Sequence, residues 1–464
     1  MKNTTILTYE DVKKIRSGQS TERLVSVRSY DDSIQAQYEK YDMVPYTGLE
    51  ILVRETVAKE LAIVNRRLKA EYNLSLKVVY GYRACEVQTD YYEKRKAELK
   101  ASNPQLSQEE LRSLTHNFVA VPEVAGHVTG GAVDITLVGL TGDACDMGTR
   151  VADYSDDESI KTLATTISGS QKRLRKILLK EMVSVGFAPF LGEWWHFSYG
   201  DKEWAAYYEK PNALYGPIDM QKTAATFKIA GGNKTILQAV KGNASEEVNA
   251  HSGKALMGIS KLVEQAGLVN IESKRLEMAG GEFCGNASAA AAVLLANELG
   301  KSSVNYSVSG FNGNVTAKVV RLDAKEFRVR TSFNGMNYKV IKKGQLDIVD
   351  MGGIVHILVE EEFPVANYEL LQRELVGMLD LRDRKAVGAI WYKKQRGKVS
   401  IDPVVWVNEV DTLYYESACG SGAIAVALAT NMRDIIQPTG ECIYVDIKND
   451  KVITECEVAI INEG

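Results

Sequence analysis

Two mixed α/β domains in tandem, the second made of two similar lobes, are what this sequence predicts. Three observations carry the prediction. The chain has 464 residues, too many for one ordinary core and suited to two domains of roughly 200 to 250 residues each. In the first half, helix-spaced apolar runs interleave with short strand-like runs. In the second half, a Cys-Gly-polar turn opening an apolar helical run occurs twice. It reads Phe283-Cys284-Gly285-Asn286 before Ala287 to Leu295, and Ala418-Cys419-Gly420-Ser421-Gly422 before Ala423 to Leu428.

The elements of the first half follow in order. Val53, Val57, Leu61, Val64 and Leu68 recur at helical spacing and predict an amphipathic helix ending near Asn73. Leu76 to Tyr80 reads as a strand, followed by Gly81-Tyr82-Arg83. The charged stretch from Tyr91 to Leu114 reads as helical. Ala132 to Val138 alternates like a strand and would set Asp134 on a rigid element. Leu174, Ile177, Leu178 and Met182 mark another helix, closed by Gly186. Glu193-Trp194-Trp195-His196-Phe197 reads as the last core strand. Strand alternation there would send Glu193 and His196 to opposite faces unless the strand is bulged. Residues 201–222, punctuated by Pro211, Gly216 and Pro217, read as the approach to a boundary. The expected division is 1–214, a linker at 215–222, and 223–464.

Composition excludes several classes. Hydrophobic content of 45% and charged content of 25% are ordinary for a globular chain. A net charge of −4 gives no sign of a nucleic-acid or membrane partner. No apolar run approaches the roughly 20 residues that span a bilayer. Met1 to Lys14 lacks the apolar segment of a secretory signal. Six cysteines without a CxxC fit reduced thiols better than a disulfide framework. A cytoplasmic location is expected, and a homodimer is allowed.

The chemistry concentrates in two places. Of five histidines, two stand in short contexts with acidic residues at ligand-like spacing: His127 with Asp134, and His196 with Glu193. Two imidazoles, a carboxylate and a spare Glu make the parts of a catalytic zinc site with an open position. Imidazole favours zinc over magnesium. In the second half, Cys284 and Cys419 each stand at a helix start, where free N–H groups favour a thiolate and can hold a carboxylate. Two thiols on opposite faces of an α-carbon can racemise an amino acid: one takes the α-proton, the other returns a proton. Cys85, Cys145, Cys442 and Cys456 lack that setting.

These motifs resemble two known families. His127-x-x-Gly130-x-Ala132-x-Asp134, Glu193-Trp194-Trp195-His196, Asp146-Met147-Gly148-Thr149 and Tyr82-Arg83 resemble the zinc D-alanyl-D-alanine dipeptidases of the vancomycin-resistance type, over about residues 20–205. The resemblance implies an α+β zinc peptidase fold. It implies His127, Asp134 and His196 as zinc ligands, Glu193 as general acid/base, Arg83 beside the developing oxyanion, and Asp153 near the substrate amine. Ala125 departs from the family's usual Ser. Residues 224–462, carrying Met278 to Ala287 and Glu416 to Gly422, resemble the diaminopimelate epimerase fold. Within it they are most similar to the histidine racemases of opine-metallophore pathways. That implies a two-lobed α/β domain with Cys284 and Cys419 catalytic. Substrate contacts are then expected from Asn233, Gly285, Asn286, Glu416, Gly420 and Ser421. No pyridoxal phosphate or other cofactor is implied there. Val410-Asp411 stands where diaminopimelate epimerases carry a Glu-Arg pair, so a polar or basic substrate side chain is expected, histidine first.

The expected function is therefore a bifunctional enzyme acting on small dipeptides and a free amino acid. Three alternatives remain: one active half beside a binding module, a diaminopimelate epimerase in the second half, or a cell-wall binding protein with a structural metal. Three ligands plus a free Glu fit the last poorly, since structural zinc is usually closed by four.

Overall fold

The first long helix of the N-terminal half forms because its apolar residues fall on one stripe. In the computed structural model, which describes residues 6–156, 158–395, 397–448 and 451–461, α1 (Glu55–Tyr72) buries Val57, Leu61, Val64 and Leu68. Val53 lies just before it, on a short strand (Leu52–Arg54). Asn73 ends α1 in the left-handed region, φ 56°, which Asn tolerates better than most residues. The chain turns there into β1 (Leu74–Tyr80). The charged stretch that follows is two helices, α2 (Cys85–Ser102) and α3 (Gln108–His116). Asn103-Pro104 separates them, since the ring of Pro104 disfavours helical geometry at the residue before it. Then come β2 (Ala132–Gly139), α4 (Gly169–Ser184), β3 (His196–Ser198) and α5 (Lys202–Tyr207).

Strands β1, β2 and β3 lie side by side in one sheet, with β2 between its neighbours and antiparallel to both. The register sets Asp134 opposite Tyr80 on one side and His196 on the other. Directly opposed residues share a face of the sheet, so the pairing itself brings Asp134 and His196 together. The strand reading of Glu193 to Trp195 needs correction. Only His196 onward is strand, and Glu193 precedes a turn in which His196 N–H reaches Glu193 O at 3.4 Å. The turn breaks the alternation that would have separated Glu193 from His196.

Residues 215–222 fold onto this same unit. Buried Tyr215 donates to Glu22 at 2.9 Å, Ile218 N–H to Val128 O at 2.9 Å, and Tyr82 Oη to Ile218 O at 2.9 Å. By its internal contacts the chain divides after Lys222.

In the second unit, seven strands between Ala225 and Asn334 join in sequence, and Lys451–Ile461 closes the ring. It pairs with Glu326–Asn334 on one side and with Ala225–Ile229 on the other. Among the described residues this makes a closed barrel of eight strands around α6 (Gly285–Leu299), which touches all eight. Alanine explains the fit. Ala287, Ala289, Ala290, Ala291 and Ala292 are buried on every side, and their small side chains let a helix occupy a barrel already lined by Val, Leu and Phe. The second lobe curls strands within 339–448 over α7 (Gly420–Thr430). Lys451–Ile461 also pairs with Cys442–Lys448, so one strand serves both lobes. No helix among the described residues is long and apolar enough to cross a membrane, and all six cysteines are unpaired.

The two lobes meet backbone to backbone. A Cβ on Gly285 would lie 2.8 Å from the Gly420 carbonyl carbon, and one on Gly420 would lie 3.0 Å from Asn286 N. The Asn286 amide ties the joint: Nδ2 donates to Ala418 O at 2.8 Å, and Oδ1 accepts from Gly420 N–H at 2.9 Å. Gly285→Ala should therefore push the helix starts apart and cost about 1–3 kcal/mol. A thermal melt of the variant checks this; an unchanged melting temperature contradicts the close approach.

Candidate functional site

The first unit assembles its site from the sheet outward. His127 lies on a short 3-10 turn (His127–Thr129) ahead of β2. Its Nδ1 bonds Gly81 O at 2.7 Å, leaving Nε2 3.3 Å from Asp134 Oδ2. His196 Nδ1 lies 3.0 Å from Asp134 Oδ1. All three residues are buried, and one ligand atom from each lies within 4.8 Å of the others. Burial opposes the charge of Asp134, but His127 and His196 outweigh it and hold the carboxyl well below the ordinary range. Two imidazoles and an ionised carboxylate suit a divalent transition metal. A donor set of three leaves coordination open.

Glu193 and Arg83 complete the cluster. They line the same cleft of about 280 Å³, with Ala152, Tyr154 and Phe190 on its wall. Burial pushes the Glu193 carboxyl up to about 7; Asp134 raises it further, while His196 and a 3.0 Å hydrogen bond from Tyr154 Oη pull it down. Arg83 is clamped by its own loop. Its N–H donates to His127 O at 3.0 Å, Nη1 to Gln88 at 2.8 Å, and its guanidinium lies 4.3 Å from the centre of the Tyr80 ring. Nη2 lies 4.0 Å from Asp134, and buried Nε has no acceptor. A fixed cation with an idle donor is suited to charge that develops during a reaction.

Asp153 stands apart from these residues. It does not line the cleft, and its carboxylate accepts from Ser155 N–H at 3.1 Å in a local turn. Its neighbours Ala152 and Tyr154 line the cleft instead, Ala152 with φ 54°. Ala125 also lines it.

In the second unit Cys284 and Cys419 are the N-caps of α6 and α7. Their sulfurs accept from Ala287 N–H and Gly422 N–H, each at 3.3 Å. Because Gly285 touches Gly420, the two capped helix starts are neighbours. Gln265 and Glu416 connect them: Cys284 Sγ lies 2.9 Å from Gln265 Oε1, and Gln265 Nε2 donates to Glu416 Oε1 at 2.6 Å. Glu416 in turn bonds the Cys419 thiol. Burial, then the Glu416 charge, pushes both thiols well above the ordinary range.

Three carboxyls share this interior. Glu416 is pushed up to about 8 and Glu282 to about 7, in both cases chiefly by burial. Glu264 is raised for the same reason and holds Asn233 Nδ2 at 2.8 Å and Ser417 Oγ at 2.6 Å. Ser421 Oγ lies 3.6 Å from Cys419 Sγ and 3.0 Å from Nε2 of His356, a buried imidazole kept neutral by desolvation. Sequence reasoning did not single out Tyr154, Glu203, Gln265, Glu282 or His356. Gln265 and Glu282 nonetheless lie in stretches that carry the family resemblance, Glu264 to Gly267 and Met278 to Ala287.

Comparison with known proteins agrees with this division. A family model described as the histidine racemase CntK N-terminal domain matches residues 228–464, and a D-ala-D-ala dipeptidase model matches residues 34–213. A histidine racemase of Fusobacterium nucleatum is 29% identical over 216 residues, which is 43% of this chain and 80% of that protein. A D-alanyl-D-alanine dipeptidase of Enterococcus faecium is 26% identical over 189 residues, 39% of this chain and 91% of that protein. One from Synechocystis sp. is 35% identical over 109 residues, 20% of this chain and 44% of that protein.

The Tyr154 hydroxyl favours the ionised form of Glu193. Tyr154→Phe should therefore raise the Glu193 carboxyl further above its value of about 7. Carbon NMR titration of the labelled carboxyl in metal-free protein reads the shift; a fall or no change refutes the contact.

Proposed function

The chain belongs to the CntK histidine racemase family through residues 228–464 and carries a D-Ala-D-Ala dipeptidase domain over residues 34–213; from that premise we propose a bifunctional enzyme. The first unit hydrolyses small dipeptides of the D-Ala-D-Ala kind with zinc. The second racemises a free amino acid with two cysteines and no cofactor, histidine being the first candidate.

The observation that carries the first activity is a three-residue donor set with an acidic side chain left over. His127, Asp134 and His196 would hold the zinc. When bound, zinc supplies Lewis acidity, lowering the pKa of water and polarising a carbonyl. Glu193 takes the proton of the attacking water and delivers it to the leaving amine, a task suited to a carboxyl poised near 7. Arg83 faces the negative charge that builds on the former carbonyl oxygen. A cleft of about 280 Å³ suits a dipeptide better than a long chain.

The second activity rests on the paired, capped thiols. One sulfur, as thiolate, removes the α-proton and becomes a thiol. The other gives its proton to the opposite face and becomes a thiolate. The product has inverted configuration and the proton count is unchanged. The substrate carboxylate suits the helix-start N–H groups at Gly285 and Ser421, Gly420 N–H being held by Asn286. The buried carboxyls support a basic side chain. No Lys or Arg forms an ion pair with Glu264, Glu282 or Glu416 among the described residues, and Lys385, the cation nearest in effect to Glu282, pairs with Glu246. An imidazole N–H would relieve them; a distal carboxylate would add to the repulsion. Asn233 and Glu416 are the expected contacts.

Glu193→Ala should keep zinc and lose roughly 10²-fold or more in dipeptide turnover. Wild-type turnover in that variant, or after complete zinc removal, refutes the hydrolase reading. In D₂O, each enantiomer of histidine should gain deuterium at the α-carbon of the product, with or without a chelator. Cys284→Ser and Cys419→Ser should each abolish racemisation in both directions. A single variant that racemises at the wild-type rate contradicts the two-thiol chemistry.

A further inference from the structure

One buried carboxylate of the first unit has no role in the chemistry above. Glu203 sits on α5, which starts at an Asp201 cap accepting from Trp204 N–H at 2.9 Å. Trp204 Nε1 pins the helix to Gly186 O at 3.0 Å. The Glu203 side chain points inward: Oε2 is 3.4 Å from His196 Nε2 and accepts from Ser198 Oγ at 3.3 Å.

The two histidines are built on one plan. His127 turns Nε2 to Asp134 and Nδ1 to the carbonyl of Gly81. His196 turns Nδ1 to Asp134 and Nε2 to Glu203. In each ring one nitrogen joins the ligand cluster and the other meets a fixed acceptor. An acceptor holds a proton on the nitrogen it faces, which leaves the lone pair on the opposite nitrogen free to bind a metal. The acceptors differ, because Gly81 offers a neutral carbonyl and Glu203 a carboxylate. An anionic partner makes the imidazole a stronger donor as well as a better-oriented one.

We propose that Glu203 is a positioning residue of the metal centre: its buried carboxylate holds the Nε2 proton of His196 and so fixes Nδ1 as the metal-binding nitrogen. This rests on the metal reading of His127, Asp134 and His196. It also assigns each ligand atom, namely Nε2 of His127, a carboxylate oxygen of Asp134 and Nδ1 of His196.

Zinc competition against a chromophoric chelator, on the full chain, tests it without reference to activity. Glu203→Ala should weaken zinc binding about 10- to 100-fold. Glu203→Gln keeps an acceptor but loses the charge, and should fall between the two. Glu193→Gln, the control, should bind zinc as the wild type does. Long-range proton–nitrogen NMR of the zinc-loaded wild type, with its five histidines labelled, should find the His196 ring proton on Nε2. A wild-type chain that takes no zinc overturns the metal centre and this role together. A wild-type chain that binds zinc, beside Glu203 variants that bind it equally well, overturns the role of Glu203 alone. Should Glu203→Ala fail to fold, the NMR decides: a proton on Nδ1 of His196 overturns the proposal.

Discussion

Burial of ionisable groups is the constraint on which both halves of this chain are built. Taking a carboxylate out of water is costly unless a partner or a proton compensates. Each half answers differently. In the first, Asp134 stays ionised because two imidazoles face it, His196 from the adjacent strand and His127 from the turn before its own. Glu193, on which burial outweighs the pull of His196, rises towards neutrality. Two carboxyls in one cleft thus reach different protonation states through their neighbours alone. Such splitting separates a ligand from an acid/base group.

In the second half no Lys or Arg among the described residues forms an ion pair with Glu264, Glu282 or Glu416, and burial raises these carboxyls and the thiols. Helix starts substitute in part, since each sulfur receives one backbone N–H. Bringing the two capped sulfurs together requires the helices to approach at glycine, and the approach requires the alanine helix to fit inside a closed barrel. The site's chemistry therefore depends on residues far from any reacting atom. Asn286, expected from sequence as a substrate contact, has both ends of its amide engaged in joining the lobes. It acts on the thiols by fixing the distance between their helices.

Much of this was legible in the sequence, for identifiable reasons. Only five histidines occur, so two in acidic contexts stood out. The repeated Cys-Gly turn marked both helix starts. What sequence could not supply was contact between distant segments. The bond from Tyr154 to Glu193, the one from Gln265 to Glu416, and the approach of Glu203 to His196 each depend on how loops and helix ends pack. Barrel closure depends on pairing Glu326–Asn334 with Lys451–Ile461, which no local pattern announces. Asp153 shows the converse. The resemblance put the substrate-amine carboxylate near it, across a loop that aligns only with a gap, and in that loop Ala152 and Tyr154 line the cleft.

The polar atoms left without partners bear on whether either half is a retained binding module. Arg83 Nε is buried with no acceptor, and His356 Nδ1 is likewise unpaired. Each such atom costs about 1–3 kcal/mol, a large fraction of the stability of one domain. Buried idle atoms also occur away from both sites, at Arg175 Nη2 among others, so they are not by themselves a mark of catalysis. An active site does gain, because a donor or acceptor held idle in a dry interior is ready for charge that exists only during the reaction. Arg83 lies in the first half, and His356 lies in the second. The same physical argument therefore applies to both.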